Sequence, residues 1–209
     1  MNYSELVTEV QSYVEDVFTT ADINTFIKQA EQRIYNTVAL PAFRKNVTGA
    51  VSSGNKYLTT PTDWMSTFSL AVVDTDGNYE YLLDKDVNFV RQAYPKATDT
   101  GLPKYYAIFD GNSFLLGPTP DANYTAELHY YYYPESIVTA TNTWLGDNFD
   151  SVLLYGTILE AHTFMKGEAD VTAEYQKRYD IALTLLKELG DGKNRRDAYR
   201  SGQMRIPLQ

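Results

Sequence analysis

The feature that most constrains this chain is a change of hydrophobic period, from helical to alternating and back to helical. Apolar residues recur every three or four positions over 4–38, every second position from about Arg44, and at helical spacing again from Phe149. A stripe of period about 3.6 buries one side of a helix and a period of two buries one face of a strand, so each pattern excludes the other conformation. Ser4 to Phe18 carries Leu6, Val7, Val10, Val14, Val17 and Phe18, with Ser4 as N-cap and Glu5 in the first turn. A second helix is predicted from about Asp22 to Val38, with Ile23, Phe26, Ile27, Ala30, Ile34 and Val38 inward and Pro41 as its stop. The short "TTAD" between them makes a helical hairpin.

In the middle, "NVTGAVSSGNKYLTT" reads as strand, turn, strand. "STFSLAVVDTDGNYEYLL" and "KYYAIFDGNSFLLG" read as hairpins through Asp76-Gly77 and Gly111-Asn112. Val87, Val90 and Tyr94 share a helical face and mark a short helix near 86–94. Beyond "TATNTWLGDN", Phe149 to Lys166 is apolar around most of its circumference, which predicts packing on more than one side, and Gly167 ends it. The last helix, Asp170 to Leu189, starts at an Asp cap, carries Val171, Tyr175, Ala182, Leu185, Leu186 and Leu189, and stops at Gly190. The expected architecture is α+β: a four-helix bundle from 1–43 and 144–190 (two N-terminal and two C-terminal helices), an inserted antiparallel β module over 44–143, and an extended basic tail over 191–209.

The segment "NYTAELHYYYYPES" places four tyrosines in succession. As a strand it puts Tyr124, Ala126, Leu128, Tyr130 and Tyr132 on one side and Thr125, Glu127, His129, Tyr131 and Tyr133 on the other. The first set reads as core. The second is wet in a monomer and suited to being covered in an assembly, because a tyrosine ring buries area while its hydroxyl keeps a hydrogen bond. His129, Tyr131 and Tyr133 are therefore expected at a subunit or partner interface, ahead of a ligand site.

Composition narrows the function classes. With no cysteine there is no disulfide framework, thiolate zinc site or cysteine nucleophile. The N-terminal "MNYSELVTEV" lacks the basic and apolar regions of a signal peptide, no run of about 18 apolar residues exists, and no membrane contact is expected. Net charge is −9, yet residues 191–209 hold Lys193, Arg195, Arg196, Arg200 and Arg205 against Asp191 and Asp197, a net of +3 that leaves −12 for the rest. An acidic body argues against a general nucleic-acid binder and permits a tail that docks on an acidic partner.

Nothing in the residues specifies chemistry. His129 and His162 are the two histidines, and each reads as a satisfied core or interface residue. No phosphate loop, nucleotide fingerprint or serine elbow occurs. Asp84 and Asp86 suit capping. "DTDGN" at 74–78 resembles a calcium loop, but Lys85 stands where the twelfth-position glutamate would be, so it reads as a hairpin turn. No catalytic residue, metal site or cofactor is expected.

The order of elements, with "FIKQAEQRIYNTV" (26–38), "YLTTPTDWMST" (57–67), "LPKYYAIFDGNSFLLGPTPDANYTAELHYYYYP" (102–134) and "WLGDNFDSVLLYGTILEAHTF" (144–164), resembles the head-to-tail adaptor proteins of tailed bacteriophages. It is most similar to those of short-tailed phages, of the tail tubular protein A type, over roughly 3–190. The resemblance implies a non-enzymatic virion protein, assembled in the host cytoplasm into a ring of usually twelve copies between the portal protein and the tail nozzle protein. It further implies that the bundle forms the ring wall, the β module meets the nozzle, and the tail enters the portal. Arg195, Arg196, Tyr199, Arg200, Met204, Arg205 and Ile206 are the expected portal-binding residues, although the tail's own sequence departs from the family. DNA would pass the channel without specific binding, since an acidic wall repels phosphate. The competing reading is a glycan-binding module of a phage tail acting through the tyrosine-rich β region, tyrosine faces being able to stack on sugars.

Overall fold

The computed structural model describes residues 1–194, with side chains through 190. In chain order its helices are α1 (Tyr3–Val14), α2 (Thr20–Thr37), α3 (Val87–Ala93), α4 (Ile137–Ala140), α5 (Trp144–Asn148), α6 (Asp150–Met165) and α7 (Ala169–Asn194). The strands are β1 (Arg44–Val51), β2 (Tyr57–Thr59), β3 (Trp64–Val73), β4 (Tyr79–Tyr81), β5 (Leu83–Asp84), β6 (Tyr105–Asp110), β7 (Ser113–Gly117) and β8 (Tyr124–Tyr132). Two compact units emerge among the described residues: a helical one from Met1–Ala42 with residues 134–194, and a β unit, Phe43–Tyr133. The class is mixed α+β, with seven helices and two largely antiparallel sheets among the described residues.

In the helical unit α6 is the hub. It lies against α1, α2, α5 and α7, and Val152, Leu153, Ile158, Leu159 and Ala161 are all buried. The near-absence of a polar face, legible in the sequence, follows from having neighbours on several sides. Gly156 is a point of close approach, where a Cβ would stand 3.2 Å from Ala30 Cβ on α2 and 3.1 Å from the Tyr179 ring on α7.

Helix ends differ from the sequence reading for local reasons. Asn2 rather than Ser4 caps α1, through a reciprocal capping box in which its side chain accepts from the Glu5 N–H and the Glu5 carboxylate accepts from the Asn2 N–H, both at 2.9 Å. The helix stops at Val14 because Glu15 is left-handed, so Val17 leaves the stripe and Phe18 turns to Phe26 and Phe164. Thr19 caps α2. At the end of α6 the left-handed residue is Lys166; Gly167 is needed instead because a Cβ there would lie 2.4 Å from His162 Nδ1. Gly190 does not terminate α7, which runs on to Asn194. Its missing Cβ admits the Ala39 carbonyl oxygen and Leu40, so the glycine serves close packing rather than a C-cap.

Residues 134–143 hold a short helix not foreseen from sequence, and they pack with the helical unit. Its anchor is Glu31 on α2, 3% exposed, whose carboxylate accepts hydrogen bonds from the Ile137 N–H at 2.8 Å and from the Ser136 hydroxyl. Burial raises the Glu31 pKa above its ordinary 4.5, outweighing those two bonds and the Lys28 charge. The folded state thus holds the proton more tightly than the unfolded one, and this group's contribution is greatest below pH 4.5 and declines as pH rises through the raised pKa. Glu31→Gln keeps an acceptor for Ile137 and carries no charge. In urea titrations it is expected to match or exceed the parent at pH 7 and to lose that advantage near pH 4, whereas Glu31→Ala should lose about 1–3 kcal/mol at both by orphaning the buried N–H.

The β unit is a sandwich. One sheet has the order β1-β8-β3-β4 and the other β2-β7-β6-β5, all pairs antiparallel except β5 with β6. The Ser53-Gly54 turn carries the chain from one sheet to the other, so β1 and β2 never pair with each other, while β4 and β5 are a single stretch that changes sheet at Leu82. Between the sheets lie Val51, Leu70, Val72, Tyr106, Phe114, Leu116, Ala126, Leu128 and Tyr130, with Tyr124 and Tyr132 partly buried against them. The face of β8 expected to be core is core. On the far side of the second sheet, α3 covers Ala107 and Leu115 with Val90, and a Cβ on Gly117 would strike Val90 at 2.7 Å. The Gly117-Pro118 peptide is cis.

Candidate interaction surfaces

The motif Pro61-Thr62-Asp63-Trp64 ties the end of the β unit where the chain comes in and goes out. The Asp63 carboxylate accepts from Lys45 Nζ at 2.6 Å and from the Tyr130 hydroxyl at 2.8 Å, and its carbonyl accepts from the Tyr133 N–H at 3.1 Å. Burial works against ionisation of Asp63, but the bonds from Lys45 and Tyr130 outweigh it and hold its pKa below 3.8. Tyr130, pushed up to about 12 by burial and by Asp63, stays a donor. Trp64 places its ring edge-to-face on Phe114, with centroids 5.6 Å apart. These residues are architectural.

On the outer face of the first sheet, β8 presents Thr125, Glu127, His129 and Tyr131. The three expected interface residues part company here. His129 is exposed; Tyr133 is 41% exposed and lies past the strand; Tyr131 is covered within its own chain, at 9% exposure, by Arg44 5.1 Å above its ring and by Phe68 at 6.2 Å. A wet Tyr131 is thus corrected. Its cover depends on an irregularity in β3 between Thr67 and Ser69, which lets Phe68 reach the side where His129 and Tyr131 stand. Alternation alone could not reveal it.

The same face carries a pair missed in the sequence reading. Tyr79 and Tyr81 on the edge strand β4 stack at 6.2 Å and 24°, 52% and 55% exposed. The Tyr79 hydroxyl donates to Glu127 at 2.8 Å, and Asn46 Nδ2 donates to the other carboxylate oxygen at 2.7 Å. Those bonds, Asn46 first, lower the Glu127 pKa and keep it an anion. The signal lay in "NYEYLL", where two tyrosines two apart share a face.

The opposite side of the sandwich is also aromatic, but cationic. Tyr57 and Phe109 meet at 5.2 Å beside α3, 41% and 37% exposed, with Arg91 5.4 Å above Phe109 and Lys56 5.6 Å from the Tyr57 ring. Lys85 lies 5.4 Å from the ring of Phe89, itself 42% exposed.

In the helical unit α7 buries Tyr179, Ala182 and Leu186 and turns a ribbon of Ala173, Lys177, Ile181, Thr184 and Leu185 outward, Ile181 at 55% and Leu185 at 52% exposure. Leu185 and Val171, expected in the core, point away because α7 packs along one side only. His162 is buried 5.0 Å from the Tyr175 ring, with no hydrogen bond to either ring nitrogen, so it is a core residue but not a satisfied one. Among the described residues no three His, Asp or Glu side chains gather as metal ligands, and no helix is long and apolar enough to cross a membrane. Arg195, Arg196, Tyr199, Arg200, Met204, Arg205 and Ile206, the expected portal-binding residues, lie outside the described residues.

Fold and surfaces together define a two-unit α+β module whose candidate sites are faces. Residues 1–207 match the family model described as SU10 adaptor protein, and the chain belongs to that family of phage head-tail adaptors. Membership makes it a structural component of the virion that contacts other virion components. No curated protein matches the chain closely enough to count as a relative.

Proposed function

We propose that the chain forms a ring, of twelve copies, that joins the phage portal to the tail nozzle and leaves a channel for the genome. The observation that carries this reading is the adaptor-family match over almost the full chain, joined to a β unit with two unlike aromatic faces. A ring is closed by heterologous contacts, in which each copy offers two different patches, and unlike faces supply them. In this reading α1, α2, α6 and α7 make a four-helix bundle that forms the wall, the β unit meets the nozzle, and residues 195–209 dock on the portal in the manner of tail tubular protein A. Arginine suits that docking, since its planar fork makes several directed hydrogen bonds to carboxylates and carbonyls. Assembly takes place in the host cytoplasm, DNA passes without specific contact, and no catalysis is involved.

Light scattering tests it. The 23.7 kDa chain is expected to assemble into a single multi-copy ring, alone or after mixing with its phage's portal ring, and a chain lacking 195–209 should lose portal binding. A monomer indifferent to portal at every concentration would overturn the reading.

A further inference from the structure

Both faces of the β sandwich are aromatic, and the charges gathered around their exposed rings differ in sign. The side bearing α3 offers Tyr57, Phe89 and Phe109 under Lys56, Lys85 and Arg91. Its carboxylates are engaged locally or turned away: Asp86 caps α3, Asp110 accepts from the Asn112 N–H and the Ser113 hydroxyl in its own hairpin, and Asp84 stands in register with Tyr106, whose side chain lies between the sheets. The other side offers the stacked Tyr79 and Tyr81 around the Glu127 anion; Asp74 is engaged by Asn78 in its own hairpin, and Arg44 lies over Phe68 and Tyr131 further along β8, away from Glu127.

We propose that the α3 side of one copy's β unit seats on the β1-β8-β3-β4 face of the next copy, with Lys85 and Arg91 against Glu127 and the Tyr79–Tyr81 stack. Charge complementarity selects the occupant. Guanidinium and ammonium groups are attracted both to a carboxylate and to exposed tyrosine faces, and all of these are present on the opposite side of the same sandwich. Two copies meeting through the same side would set Arg91 near Arg91, or Glu127 near Glu127, which disfavours a symmetric dimer. Because the two patches lie on opposite sides of one unit, the contact repeats head to tail. The inference rests on the ring reading and adds to it the surfaces through which neighbours meet.

The test is a charge exchange, under whichever condition gives the parent ring. K85E/R91E and Glu127→Lys are each expected to fall to the 23.7 kDa monomer. An equimolar mixture should recover the ring mass, since reversed sides then face each other in alternation and an even ring closes. Tyr81→Lys, at an exposed position, should behave as Glu127→Lys does and guards against a folding defect at Glu127. Variants that assemble as the parent does, or a mixture that stays monomeric, would overturn this contact and leave the ring standing. A parent that never assembles would overturn the ring itself.

Discussion

Phe114→Ala is expected to cost about 3–5 kcal/mol and to melt the β unit well before the parent unfolds. Phe114 has no exposed surface and sits between the sheets, with Trp64 edge-to-face at 5.6 Å and Tyr106 at 5.5 Å. Truncation removes the transfer free energy of a ring and leaves a cavity whose walls are two sheets that cannot close on it without breaking their ladders. A loss of that size is a large part of the total stability of a typical domain. The two tryptophans provide the readout, because Trp64 lies in the β unit and Trp144 in the helical one. In a Trp144→Phe background, fluorescence follows Trp64 alone, and its midpoint in urea should shift strongly while far-ultraviolet helix signal persists. Coincident, unshifted transitions would show that the sandwich tolerates the void.

Gly156→Leu is the second large effect. A Cβ alone would sit 3.2 Å from Ala30 and 3.1 Å from the Tyr179 ring, so alanine already demands a few tenths of an ångström and leucine places further carbons in occupied space. Overpacking of this kind costs about 1–3 kcal/mol and occasionally more. Here α2 and α7 would both have to move off α6, so we expect the upper end, read as loss of helix signal at lower temperature with the Trp64 transition unchanged. Gly156→Ala should cost a fraction of that. If leucine and alanine behave alike, the three helices are not in the contact described.

The period changes at Arg44 and near Phe149 carried most of the fold. They yielded the long helices, the hairpin strands and the buried face of β8, because burial on one side leaves its mark directly in the spacing. The seven-residue α3 was legible from Val87, Val90 and Tyr94, but the shortest helices escaped. The four-residue helix at Ile137–Ala140 has too few positions to show a period, and it is specified by a distant carboxylate, Glu31, rather than by its own residues. Glycines were read as stops where two of them mark close approach: Gly167 beneath His162 and Gly190 beside Ala39, neighbours that no local pattern announces. The candidate surface was legible in part. Alternation put His129 and Tyr131 on one face, but the irregularity in β3 that lays Phe68 against Tyr131 shifts a side chain without altering composition. The cationic side arises from Lys85 and Arg91, just before and within α3, and from Lys56, distant in sequence and brought to the same side when α3 covers its sheet.

The pairing of Arg44 with Tyr131 means that the β unit begins and ends on neighbouring strands at one end. Everything between those positions can lengthen, shrink or be exchanged without rerouting the remainder of the chain. Such an arrangement leaves the chain path of the helical part indifferent to what the sandwich carries between its first and last strands. For protein engineering it marks 43 and 133 as the seams at which a foreign sandwich could be spliced in.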